Sequence, residues 1–284
     1  MLSVTNSSMN QNNDAAFISG FLPDYDGIIL RTEVAKAAGW LLAALYLRSE
    51  IREDLVTALS NHDKGAVQEV KDICKQCYAD LTKITALAGM SRKETCDTVW
   101  SLFLNDPKYS RDHLNNIRTD IKDVIIDELS ESIDGNIAFF TKAWEHEIKV
   151  GLVTQTTTKD IQRQSRRFKY PLYIFSAIVA AGDKNWDKNM SKAMGYAIAR
   201  ERLNVNKAMA FEDSKSGLES ALAAGIACIG VKDLGSSQDL SKGVHIISPD
   251  LGRFATDEVM EAYKHHTLES FIEYLKGYTG KEAA

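Results

Sequence analysis

No apolar run in this 284-residue chain approaches the roughly 18 residues needed to span a bilayer; "GWLLAALYL" at 39–47 is too short. The opening stretch, "MLSVTNSSMNQNNDAAF", has neither the basic nor the apolar region of a secretory leader. Its Asn and Ser content predicts a disordered tail over residues 1–14. Cysteine is scarce: four in a chain without a leader predict free thiols and a cytoplasmic location. There is no excess of positive charge either, the net being −5. A broad basic surface for nucleic acid or anionic lipid is thereby excluded, and an anionic substrate must be recognised by a few local cations. Neither internal repeats nor low-complexity tracts occur beyond the tail.

What is present is the composition of a globular protein, 44 % apolar and 26 % charged, and a length sufficient for two domains. From 34 to 132 the pattern is helical and almost free of strand signals. "EVAKAAGWLLAALYLRSEI" and "AVQEVKDICKQCYADLTKITALA" carry apolar residues three and four apart. From 133 onward strand and helix alternate: "IKVGLVT", "KAMAFED" and "IACIGV" read as buried strands, "MSKAMGYAIARERLNV" and "SGLESALAAG" as helices. Such alternation predicts a parallel sheet covered on both faces, with "AAFISGFL" at 15–22 as its first strand. The expected fold is α/β, a Rossmann-like parallel sheet over 15–33 and 133–284, with an all-helical cap domain at 34–132 inserted after the first strand.

Functional groups in open parallel sheets gather beyond the carboxyl ends of the strands. Those ends carry Asp24 and Asp26, then Thr154, then Glu212 and Asp213, with Lys184, Lys188 and Lys192 in the loop between the last two. Carboxylates crowded at one site repel unless a cation compensates, and an oxygen-only ligand set suits Mg²⁺. A metal-held carboxylate can attack phosphorus while a second, two residues on, protonates the leaving oxygen. Thr154 and a lysine can hold the phosphoryl oxygens. Singly, each piece has a plain structural reading: Thr154 ends a strand, and Asp213 caps a helix.

Together they resemble the haloacid dehalogenase superfamily, in its β-phosphoglucomutase-like branch. "DYDGIILRTE", "VGLVT" and "AFEDSKSGLESALAAGIACIGV" look like its first, second and fourth motifs. The resemblance implies that Asp24 is the nucleophile, Asp26 the general acid and base, and Thr154 a phosphoryl contact. Asp24, the carbonyl of Asp26 and Asp213 would hold Mg²⁺, with Glu212 assisting. Lys188 is chosen as the active-site lysine, although no proline follows as the family pattern has it. Arg92 in "LAGMSRKET", Lys122 and Gln155 are the implied substrate contacts. The expected activity is that of a phosphatase acting through aspartyl-phosphate on a small phosphorylated metabolite of the sugar-phosphate kind, as a monomer or homodimer.

Three features depart from the pattern. Pro23 directly precedes the expected nucleophile, where a strand would lose a ladder donor. Arg31 stands where the family often has an acid, without being a ligand. Lys36 replaces the hinge histidine of the phosphomutase, which weakens the alternative of a sugar-phosphate mutase. A catalytically degenerate binding or regulatory protein is the other alternative. "CKQC", with Cys74 and Cys77, reads as two buried thiols on a helix, and "RQSRRFK" at 163–169 as a solvated helix face.

Overall fold

A computed structural model describes residues 19–88, 90–183, 191–232 and 239–278. In chain order the elements are β1 (Gly20–Pro23), β2 (Leu30–Arg31), α1 (Glu33–Leu47), α2 (Leu55–Ser60), α3 (Lys64–Gln76), α4 (Tyr78–Thr85), α5 (Arg92–Val99) and α6 (Arg111–Leu129). Next come β3 (Glu131–Ser132), α7 (Asp134–Glu145), β4 (Lys149–Thr157), α8 (Thr158–Phe168), β5 (Ala177–Ala181) and α9 (Lys192–Leu203). The chain then forms β6 (Ala208–Glu212), α10 (Lys215–Ala223), β7 (Ala227–Val231), β8 (His245–Ile247), α11 (Asp257–His265) and α12 (Leu268–Gly277).

Six strands pair in the order β5-β4-β1-β6-β7-β8, all parallel. Every residue of β1 is buried, as a central parallel strand with both faces covered requires. Successive side chains point to opposite faces, so Phe21 and Leu22 enter different cores. On the Phe21 side, Phe139, Phe140, Phe211 and Tyr263 close around its ring, with centroids 4.7–6.5 Å away. On the Leu22 side, Val153 of the sheet packs with Tyr196 and Leu203 of α9 and Leu218 of α10. The first strand is shorter than its expected span, and residues 15–18 lie outside those described, as does the expected tail over 1–14.

Helices α1–α6 leave and rejoin the sheet through β2 and β3, an antiparallel pair with Leu30 opposite Ser132 and Arg31 opposite Glu131. They bury an apolar core of their own, including Trp40, Leu41, Leu55, Val70, Leu114 and Ile121. The two helices adjoining this hinge, α1 and α6, pack along each other. The basic run at 163–169 fits its reading as a solvated face in part, with Arg166, Arg167 and Lys169 exposed. Gln164 is buried, and Arg163 and Arg167 turn to carboxylates of α6. Cys74 and Cys77 are half-buried rather than buried, and are free thiols.

Phe211 meets Phe21, Phe139 and Phe140 edge-on, with centroids 5.2–5.6 Å away. Phe211→Ala is expected to destabilise the protein by about 3–5 kcal/mol, read as a lower urea midpoint at unchanged slope.

Candidate active site

The carboxyl ends of β1, β4 and β6 converge. Pro23 is the last residue of β1, and its neighbour Asp24 donates its backbone N–H to the Phe211 carbonyl at 3.0 Å. Backbone N–H groups alternate in direction along a strand, so position 23 faces β4. Position 23 would be the next donor to β4, and having no N–H it cannot serve: pairing with β4 ends at Phe21–Val150 while pairing with β6 runs on to Pro23–Phe211. Between the two aspartates, Tyr25 points the other way, where its hydroxyl donates to Gln164 Oε1 at 2.7 Å and meets Tyr170.

Lys192 opens α9, whose N-cap Ser191 accepts from the Met194 N–H. Its Nζ lies 2.8 Å from Asp24 Oδ2 and 2.7 Å from Glu212 Oε1. One turn further on, Tyr196 donates to the same Glu212 oxygen. Glu212 ends β6, fully buried, and Asp213 follows it. The N-cap of α10 is Ser214, which accepts from the Gly217 N–H; Asp213 is thus not the helix cap. Two glycines make room for these acids. A Cβ on Gly27, at φ +75°, would meet Asp213 Oδ2 at 1.8 Å, and one on Gly217 would meet Glu212 Oε2 at 2.0 Å.

One ligand atom from each of Asp24, Glu212 and Asp213 lies within 4.8 Å of the others. Burial is the main cause raising the Asp24 carboxyl above its ordinary value; Lys192 opposes it and Asp26 adds to it. Burial, then repulsion from Asp24 and Glu212, pushes Asp213 well up. Burial also raises Glu212, to about 7, against the pull of Lys192. Among the described residues Glu212 Oε2 has no partner. Among the described residues one lysine contacts two of these three acids, and the donor set is oxygen only, so the residues fit a divalent cation of the Mg²⁺ kind.

Asp26 is held differently. Oδ1 accepts from Thr32 Oγ1 and Oδ2 from Thr156 Oγ1, each at 2.8 Å, and Lys36 Nζ approaches Oδ2 at 3.4 Å. Burial would raise this carboxyl, but Lys36 and the two hydroxyls outweigh it and hold its pKa below the ordinary value. Thr32 is the N-cap residue of α1 but makes no capping bond, its hydroxyl being given to Asp26. Thr154 is buried beside a register shift in β4, and its Oγ1 accepts from the Thr156 N–H at 3.0 Å.

The family model for haloacid dehalogenase-like hydrolases matches residues 54–231, more than half of the chain. The chain belongs to that family. The matched span begins after Asp24 and Asp26, so membership rests on the insertion and on β4 to β7, and the geometry of the first two acids stands beside it. Among curated protein sequences, none matches. Solved structures with the same fold include CbbY from Rhodobacter sphaeroides in complex with phosphate, at 18 % identity and TM-score 0.56, covering 84 % of this chain and 96 % of that one. Another is β-phosphoglucomutase from Clostridium difficile, at 18 % identity and TM-score 0.56, covering 87 % and 98 %. A family IA hydrolase from Entamoeba histolytica aligns at 15 % identity and TM-score 0.56, over 92 % and 100 %.

The remaining sequence-derived residues lie apart from the acids or outside the described chain. Lys188 and Lys184 are outside the described residues; the lysine seen on Asp24 is Lys192. Arg92 is bound within the insertion, its Nε donating to Asn115 Oδ1 at 2.8 Å and its guanidinium also reaching Thr119. Lys122 is near Asp160 Oδ2, at 3.7 Å. Gln155 is exposed at the end of β4. Sequence reasoning did not single out Thr32, Thr156 or Tyr196, nor the contact of Lys36 with Asp26. For Lys192 a signal existed, since Ser191 marks a helix start directly before it.

A carboxyl raised on folding contributes stability below its unfolded pKa and loses it as pH rises through its folded one. For Glu212 that window runs from its ordinary 4.5 to about 7. In metal-free protein, the Glu212→Gln variant is expected to gain on the wild type by up to about 3 kcal/mol as pH rises through that window. Urea denaturation in chelator at either end of the window measures it, and added Mg²⁺ is expected to shrink the difference.

Proposed function

We propose that the protein is a Mg²⁺-dependent phosphatase that hydrolyses a small phosphorylated metabolite, a sugar phosphate or a molecule like one. The observation that carries this reading is Lys192 set between Asp24 and Glu212, with Asp213 alongside and Asp26 two residues from Asp24. Asp24, Asp213 and the Asp26 carbonyl would hold the metal, with Glu212 beside them. When bound, the metal would neutralise charge on the phosphoryl oxygens and on Asp24.

Asp24 attacks phosphorus and becomes aspartyl-phosphate, while Lys192 and Thr154 take up the equatorial oxygens. Asp26 delivers a proton to the leaving oxygen and afterwards takes one from the hydrolytic water. Its carboxylate, as held by Thr32, Thr156 and Lys36, favours the second of these tasks. Against a degenerate site, this reading is supported by the lysine that stands on Asp24. We also infer a cytoplasmic setting from the four free thiols.

Substrate recognition falls to the helical insertion, acting as a cap. Beside Arg92 the Arg118 guanidinium lies over the Trp40 ring, 5.3 Å from its centroid. Neither arginine has a carboxylate partner among the described residues. Burial, with repulsion from Arg92 and against the attraction of Asp123, lowers Arg118 to about 10. Trp40 follows Lys36 by one turn of α1, and Lys36 touches Asp26, so α1 connects the ring under Arg118 to the acid loop. CbbY from Rhodobacter sphaeroides, 18 % identical, has been crystallised with xylulose-(1,5)bisphosphate. By this reading, a second anionic group of the substrate meets Arg92 and Arg118, whereas Lys122 serves the contact with Asp160.

Asp24→Asn is expected to abolish release of inorganic phosphate from a chromogenic phosphate ester in Mg²⁺ while leaving the circular dichroism unchanged. Undiminished release would exclude the assignment, and isomer formed without phosphate release would favour a mutase. Arg118→Met is expected to raise KM about tenfold or more for a doubly anionic substrate, with kcat nearly unchanged.

A further inference from the structure

Two arginines of the basic run 163–169 reach across to another element. Arg163 sits on α8, a helix of the sheet domain that starts where β4 ends. Its Nη1 meets Asp127 Oδ2 of α6 at 2.6 Å and donates to the Asp123 carbonyl at 3.2 Å. Its Nη2 lies 3.4 Å from Asp123 Oδ1 and 3.2 Å from Asp160 Oδ1 on its own helix. One turn on, Arg167 pairs with Glu128 at 2.8 Å and donates from Nε to the Asp127 carbonyl at 3.1 Å. In the opposite sense Lys122 of α6 lies 3.7 Å from Asp160.

These contacts grip the last two turns of α6, just before the chain returns through β3. Two arginines there meet carboxylates and also the free carbonyl end of the helix, whose dipole favours cations. The pairs are not exposed ornaments: the Asp127 side chain is 11 % exposed and Asp160 14 %. Arg163 joins three carboxylates, so loss of its charge leaves Asp127 buried and unpaired. Because α6 is continuous with the hinge, a rotation of the insertion about β2 and β3 has to pull Asp123, Asp127 and Glu128 away from α8.

We propose that Arg163 and Arg167 form an electrostatic brace that fixes the cap at its resting angle over Asp24 and Asp26, and that opening the cap requires breaking it. The brace concerns the mobility of the insertion and is independent of which phosphate ester is cleaved. Hydrogen exchange therefore tests it without reference to activity. In the wild type, amide exchange over 28–33 and 121–133 is expected to rise several-fold between about 0.05 and 0.5 M NaCl, because salt screens the partly exposed pairs. The Arg163→Met/Arg167→Met double variant should exchange fast at low salt and respond no further to high salt.

Should the double variant fold poorly by circular dichroism, Arg167→Met and Glu128→Gln remove one pair from either side. Each should give part of the effect, and their combination no more than the larger single change. Exchange in these segments that is equal in wild type and variants, or that keeps its full salt response in the variants, overturns the brace. Exchange raised only in the apolar core of the sheet would equally overturn it, as the mark of general destabilisation.

Discussion

The charge balance around Lys192 governs the rest of the site. Asp24, Glu212 and Asp213 are brought together by the ends of two neighbouring parallel strands, β1 and β6, and each loses hydration in the process. Removing a carboxylate from water is unfavourable by several kcal/mol unless a partner compensates. One ammonium, 2.8 Å and 2.7 Å from two of the acids, compensates in part. The cluster keeps surplus negative charge, and that surplus is what gives it affinity for a divalent cation. A second lysine placed on Asp213 would stabilise the metal-free fold and remove that affinity.

The two aspartates of the first loop divide the work because their surroundings differ. Asp24 faces the other acids and is raised; Asp26 faces Lys36, Thr32 and Thr156 and is lowered. Two carboxylates separated by one residue are thus pushed in opposite directions, the usual sign of distinct acid-base roles. Both threonines sit at junctions: Thr32 where α1 begins, Thr156 where β4 runs into α8. Lys36 belongs to the insertion. The state of Asp26 is therefore tied to where the insertion stands, because moving α1 away withdraws Lys36 from it.

The parts of this arrangement that were legible in the sequence are those written in strand-end chemistry. Asp24, Asp26, Thr154, Glu212 and Asp213 each follow a buried apolar run, and the helical pattern from 34 onward is unbroken by strand signals until the hinge. The expected Lys188 lies outside the described residues; composition of a loop does not say which side chain turns inward, whereas the N-cap at Ser191 fixes Lys192 in the first turn of α9. The donor that Pro23 lacks was legible, and pairing with β4 ends two residues before it. Arg118 was invisible, since an unpaired guanidinium is recognised only by what surrounds it.

The basic run at 163–169 shows how a surface pattern and an interface pattern coincide in sequence. A helix that carries arginines on the face opposite its apolar residues reads as solvated, and α8 does carry them so. What turns two of them inward is the acidic end of α6, some 40 residues earlier in the chain. Ion pairs of this kind add little stability when exposed, but here they cross a hinge, and their geometry has to be undone before the insertion moves. Coulomb attraction falls off gradually with distance, unlike apolar contact, so the brace resists rotation over several ångströms rather than at first separation. The same hinge carries Lys36 towards Asp26 on its other side. An insertion held at one angle by α8 is also one that keeps Lys36 on Asp26, and the two contacts act on the same motion.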